Sequence, residues 1–120
     1  MLSIDCTHPD LEEFINLKSD LNICTKANIS VRVSNNFMDA VINNRPWDLT
    51  FNTEHECIKK TVNARDIFML LAKRNWEMAE PGVLYWDNIT NYNMLDKDSN
   101  FSYAGVNPCA GYLRLTLKIG

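Results

Sequence analysis

The 120-residue chain has no basic surplus: 12 Lys and Arg stand against 15 Asp and Glu, a formal charge of -3, with a pI near 5.3. No block of like charge stands out either, so the composition argues against a nucleic-acid partner. No apolar run approaches the ~20 residues of a membrane span. Met1-Leu2-Ser3-Ile4-Asp5 lacks the charged lead and apolar stretch of a signal peptide. The expectation is a cytoplasmic protein with no membrane partner, in which the sequons at Asn28, Asn88 and Asn100 carry no meaning. Cys6, Cys24, Cys57 and Cys109 include no Cys-x-x-Cys pair, so no zinc knuckle or redox dithiol is written locally. In a reducing compartment they read as four free thiols, three of them core residues. With no internal repeat, low-complexity tract or linker, and 46% hydrophobic residues, the chain has room for one unit and its core.

What is present alternates between strand-like and helix-like periods. "MLSID" reads as a strand, and "THPDLEEFINLKSD" as an amphipathic helix with Pro9 in its first turn and Leu11, Phe14 and Ile15 at helical spacing. "DLNICTKAN" has no period and reads as a loop. "ISVRV" alternates like a strand and runs into Ser34, an N-cap for "NNFMDAVINN". "WDLTFN" and "CIKKTV" flank a polar "TEHE" turn and predict a hairpin. Asn63 caps the longest helix, "ARDIFMLLAKRNWEMAE", whose Ile67, Phe68, Leu71, Ala72 and Trp76 fall on one side before Pro81-Gly82 ends it. "VLYW" and "FSYAGVNP" read as further strands. The alternation predicts an α/β sheet with covering helices. A parallel sheet needs its edges covered, yet the chain starts in a strand and ends in the alternating run "YLRLTLKI", so it reads as a slice of a larger sheet.

Several local patterns offer chemistry. "HPD" at residues 8 to 10 matches the J-domain tripeptide, but seven strand-like residues precede it where that motif needs a helix, and helix capping accounts for it better. "EHEC" at residues 54 to 57 holds metal-ligating types, but four consecutive residues cannot converge on one ion without strain, and a solvated turn is the plainer reading. No metal site is assigned. Glu12, Glu13, Asp87 and Asp96 are candidate general bases that nothing in the sequence pairs. Trp47, Trp76 and Trp86 read as core and rim packing, because no basic residues interleave with them as a base-stacking platform requires. In "YAGVNPCAGY", Pro108 removes a backbone donor and pushes Asn107 out of the helical region, so Asn-Pro-Cys is a turn or strand end. Small residues follow, and a cysteine so placed can present its sulfur to a cavity. A buried, inert thiol is the commoner fate of a lone cysteine.

Taken together, "MLSIDCTHPDLEEFINLKSDLNICTKANISVRVSNNFMDAV", "AEPGVLYWDNITNYNML" and "YAGVNPCA" resemble a central part of the catalytic subunit of class II, adenosylcobalamin-dependent ribonucleotide reductase, over about residues 1 to 110. The resemblance implies a partial slice of that family's ten-stranded α/β barrel, with the Asn-Pro-Cys turn on a finger loop inside it. It implies an oxidoreductase that turns ribonucleotides into deoxyribonucleotides, a vitamin B12-dependent ribonucleoside-diphosphate reductase in kind. Cys109 matches the cysteine that becomes a thiyl radical and takes the ribose 3′ hydrogen. Asn107 matches the asparagine that hydrogen-bonds the substrate ribose. Asp20, Lys26 and Asn28 fall in a loop expected to relay the identity of a nucleotide effector. Adenosylcobalamin is implied as cofactor, with its contacts mostly outside this chain, and a complementing reductase fragment as a possible partner. The departures are equally specific. Gly111 stands where the family carries a glutamate acting as a base, and Cys6, Cys24 and Cys57 do not match its reducing cysteines. Residues 111–120 read as a divergent tail, the mark of a frameshift or rearrangement. The alternative is an inactive remnant or a small interaction module that associates with reductase subunits.

Overall fold

A computed structural model describes residues 1–20, 26–54, 56–92 and 101–117, without the side chains of 115–117. Strand β1 (Leu2–Asp5) leads through a turn to helix α1 (Leu11–Asn16), which closes in a short 3-10 segment at Leu17–Ser19. Pro9 lies in the turn ahead of this helix, not in its first turn. There the Leu11 N–H donates to the His8 carbonyl at 3.1 Å and the Asp10 N–H to His8 Nδ1 at 3.1 Å. The Asp10 side chain makes no capping bond, and it is the His8 imidazole that takes up a free N–H at this helix start.

Strand β2 (Ile29–Val33) and helix α2 (Asn35–Ile42) form the next unit. Ser34 Oγ accepts the Phe37 N–H at 3.1 Å, the expected N-cap. Strands β3 (Pro46–Asn52) and β4 (Cys57–Asn63) pair antiparallel as a separate hairpin. Its turn is closed by Thr53, whose N–H donates to the Glu56 carbonyl at 2.8 Å and whose Oγ1 accepts the Glu56 N–H at 2.9 Å. Asn63 Oδ1 accepts the Arg65 and Asp66 N–H groups at 2.9 and 3.3 Å, capping helix α3 (Ala64–Met78). That helix ends at Ala79 with φ of 59°, before Pro81 and Gly82. Strand β5 (Gly82–Tyr85) is one residue shorter than "VLYW" suggests at its end: Trp86 opens helix α4 (Trp86–Asn91), which the apolar pattern did not announce.

β1, β2 and β5 form a parallel three-stranded sheet in the order β1-β2-β5, with no strand beyond either edge among the described residues. The barrel that the resemblance implies is therefore not closed by the described residues, whose fold is mixed α/β: one parallel sheet and two antiparallel hairpins. The second hairpin pairs β6 (Phe101–Val106) with β7 (Leu113–Leu117), so the stretch read as a divergent tail supplies a paired strand. Register sorts the parallel sheet into two faces. Ile4, Val31 and Val83 align across the strands and join Val33 in a cluster with Leu11 and Ile15 of α1, Phe37 and Val41 of α2 and Ile67 and Leu71 of α3. Leu11, Ile15 and Phe37 are almost fully buried, each worth roughly 1.5 to 3 kcal/mol of transfer free energy. Alternation puts Ser3, Asp5, Ser30, Arg32 and Leu84 on the opposite face, where Ser30 and Leu84 are also buried and Trp86 of α4 lies against Arg32.

Two packing expectations are corrected. Trp76 and Ala72 are exposed, Trp76 at 86%, because α3 turns only its Ala64, Ile67 and Leu71 side to the sheet. Cys57 is exposed on β4, while Cys6 is a core thiol; Cys24 lies outside the described residues. Trp47 and Trp86 do sit half buried. Trp47 packs edge-on to Phe37 with ring centroids 5.3 Å apart and donates Nε1–H to the Cys6 carbonyl at 2.8 Å. No helix among the described residues is long and apolar enough to cross a membrane.

Candidate cysteine turn and its surroundings

The Asn-Pro-Cys segment forms the tip of the β6–β7 hairpin. Asn107 N–H donates to the Tyr112 carbonyl at 3.0 Å, and Ala110 N–H to the Asn107 carbonyl at 2.9 Å. Asn107 Oδ1 accepts the Tyr112 N–H at 2.8 Å. These bonds wrap six residues into a closed turn, in which Ala110 takes a left-handed φ of 56°. The small side chain at 110 limits the steric cost of that conformation.

Cys109 is exposed at the tip. Its sulfur accepts from Asn107 Nδ2 at 3.0 Å. The Gly111 N–H, this amide and the Cys109 N–H together hold the thiol below its usual range, with the Gly111 N–H contributing most and no charged side chain taking part. Gly111 itself has no positive φ, and a Cβ there would sit 3.4 Å from Cys109 Sγ and 4.0 Å from Asn107 Oδ1. A side chain at 111 therefore starts in van der Waals contact with the sulfur, with nothing in the backbone to forbid it.

Of the residues expected in the signalling loop, Asn28 reaches this turn: its Nδ2 donates to the Pro108 carbonyl at 3.2 Å. Asp20 closes the 3-10 segment after α1, and Lys26 is exposed in a turn ahead of β2. Residues 21–25 between them lie outside the described residues. The candidate bases are placed elsewhere. Glu12 pairs with Lys60, Asp87 accepts the Asn35 N–H at 2.7 Å, Glu13 is exposed on α1, and Asp96 lies outside the described residues. The "EHEC" stretch likewise has His55 outside them.

Arg32 is the polar residue that the sequence reading passed over. It lies on the face of the sheet opposite the main helical cluster, its guanidinium 5.1 Å from the Trp86 ring centroid. Its Nε is buried without a hydrogen-bond partner among the described residues. A charged residue inside the otherwise apolar alternation of "ISVRV" was the signal. Two clefts of about 330 and 450 Å3 are present. One is lined by Asp39, Arg45 and Trp47, the other by Leu84, Tyr85, Ile89, Tyr92 and Leu113. Both are in the range of small-molecule pockets, and neither is large enough to enclose a corrin with its nucleotide arm.

Comparison with known proteins places these features in a family context. A family model described as "Ribonucleotide reductase, barrel domain" matches residues 1–118, through the whole cysteine turn and all of β7. The vitamin B12-dependent ribonucleotide reductase of Streptomyces avermitilis is 30% identical over 96% of this chain. The vitamin B12-dependent ribonucleoside-diphosphate reductase of Thermoplasma acidophilum is 32% identical over 88%. The vitamin B12-dependent enzyme of Agrobacterium fabrum is 29% identical over 74%. The chain spans 14% of the length of each of the first two and 7% of the third.

Proposed function

The chain belongs to the ribonucleotide reductase barrel-domain family, and from that membership we propose that it carries the substrate-facing cysteine of a vitamin B12-dependent ribonucleotide reductase. The observation that carries the reading is the turn itself. Cys109 Sγ is exposed at the tip of a closed hairpin, 3.0 Å from the amide of Asn107, on the segment where the family resemblance puts the radical cysteine.

In this role the sulfur moves hydrogen atoms. As a thiyl radical it takes the hydrogen from ribose C3′, the C3′–H bond breaking homolytically as the S–H bond forms and the unpaired electron passing to C3′. When bound, adenosylcobalamin supplies the radical that initiates such chemistry, and neither described cleft is large enough to hold it. Asn107 has two tasks in this scheme. With no substrate bound, its amide holds the thiol and the turn; turned outward, the same amide can bond a ribose hydroxyl. The substrate is a ribonucleotide and the product a deoxyribonucleotide, with a nucleotide effector expected from the family. Gly111 brings no base to the sulfur, and Cys109 is exposed, so the rest of the pocket comes from beyond the described residues.

A second reading is supported by Gly111 and by the open edges of the parallel sheet: a segment that associates with reductase chains without turning over substrate. One experiment separates the two. This chain is exchanged for the matching segment of the Streptomyces avermitilis enzyme, and the chimera is assayed with ribonucleotide, adenosylcobalamin and a dithiol. Turnover that disappears in Cys109→Ala supports the catalytic reading. No turnover in a folded chimera, or turnover that survives the substitution, overturns it.

A further inference from the structure

We propose that Asn28 is a positioning residue for the cysteine turn, holding the Pro108–Cys109 peptide against the end of the parallel sheet through its side-chain amide. The proposal rests on the reading that Cys109 is the working thiol. Asn28 sits immediately before β2, and its own carbonyl accepts the Leu2 N–H at 2.8 Å, which locks its backbone into the β1–β2 register. An ordered backbone therefore aims the amide, and Nδ2 donates to the Pro108 carbonyl, 80 residues away in sequence, at 3.2 Å.

The other bonds of the turn cannot do this job. Asn107 to Tyr112, Ala110 to Asn107 and Asn107 to Cys109 all close within residues 107–112. They shape the turn and leave its placement on the sheet open. The acceptor is also well chosen chemically. The Pro108 carbonyl and the Cys109 N–H are the two ends of one peptide plane, and that N–H is among the groups facing the sulfur. A bond accepted at the oxygen polarises the N–H and restrains the plane from rotating. Asn28 thus acts on the thiol through one peptide group without touching it.

The test is alkylation by iodoacetamide across the neutral to alkaline range, on the full 120-residue chain, read site by site by mass spectrometry. In Asn28→Ala the Cys109 rate profile is expected to move to higher pH, about threefold slower at pH 7 because less thiolate is present. The exposed Cys57 in the same sample should be unchanged, and the buried Cys6 should stay unreactive as a check on folding. Asn28→Leu keeps the bulk but has neither a donor for the Pro108 carbonyl nor a charge to act on the thiol, so it should move the Cys109 profile as far. It also gives the answer if the alanine variant unfolds. A Cys109 profile that superimposes on that of the unaltered chain in a folded variant overturns the proposal. The measurement uses no nucleotide or cobalamin: a flat result removes Asn28 and leaves the reductase reading intact, and failure of the chimera assay does the reverse.

Discussion

Asn107 and Cys109 form a closed pair: the amide nitrogen of the first lies 3.0 Å from the sulfur of the second, while the amide oxygen is held by the Tyr112 N–H. Both ends of the Asn107 side chain are thus engaged before any substrate arrives. In Asn107→Ala the thiol loses one donor and the turn loses its clasp, so the Cys109 pKa should rise and its alkylation at pH 7 should slow by about threefold to tenfold. Site-resolved alkylation kinetics measure this directly. An unchanged pH profile would show that the pair does not shape the thiol.

Restoring a carboxylate beside the sulfur is sterically open, because a Cβ at Gly111 meets Cys109 Sγ at 3.4 Å and the backbone there has no positive φ. In Gly111→Glu the added negative charge disfavours the thiolate, so Cys109 alkylation should shift to higher pH. In the chimera the same change should raise turnover, if the reductase reading holds. Raised turnover with no pH shift would place the new carboxylate away from the sulfur.

Cys6 provides a pH prediction for stability. Burial pushes its thiol up, bonds to Ser34 pull part of the way back, and the Asp5 carboxylate adds to the rise. The folded chain therefore holds this proton more tightly than the unfolded chain. The contribution is fully present below the unfolded thiol pKa of about 8.5 and is lost as pH rises through the folded value. Urea unfolding under reductant should show stability falling on the alkaline side, less steeply in Cys6→Ala. That variant should itself cost about 1 kcal/mol at pH 7 from lost packing. Parallel alkaline limbs in the two proteins would contradict the assignment.

Met69, Ala72 and Trp76 lie at helical spacing on the exposed side of α3, with Met69 61% and Trp76 86% exposed. Such a stripe, together with two open sheet edges, favours self-association. Sedimentation should show a mass that grows with concentration, and Trp76→Lys should reduce it. A monomer at all concentrations would refute this.

The cap of α3 offers a local check. Asn63 Oδ1 takes two first-turn N–H groups, so Asn63→Ala should destabilise the chain by about 1 kcal/mol. Thermal or urea unfolding measures it, and a loss near zero would mean that the helix start is held by packing alone.

The elements legible in the sequence are those whose causes lie within a few residues. Ser34 and Asn63 announce their helices because a cap bonds to N–H groups two or three residues on. "ISVRV" reads as a strand because its period of two needs no partner to be seen. Asn-Pro-Cys reads as a turn because Pro108 constrains its own neighbours. The family was legible for a related reason: a long continuous run of residues retains its order, and the family match spans residues 1–118.

The misses are contacts decided at a distance. Trp76 was placed on the packed side of α3 by periodicity, which gives the relative phase of residues but not which arc meets the sheet. α4 begins at Trp86 where an apolar run suggested a longer strand, and the Arg32 guanidinium over that ring forms only once β2 and β5 are neighbours. By itself, the sequence determined the caps, the periods, the bent cysteine turn and the family. The tertiary structure alone decided that Asn28 meets Pro108 and that the Asn107 amide closes on the Cys109 sulfur. Hydrogen bonds and close approaches of that kind depend on where strands and turns come to rest in space, and no local rule of the chain encodes that position.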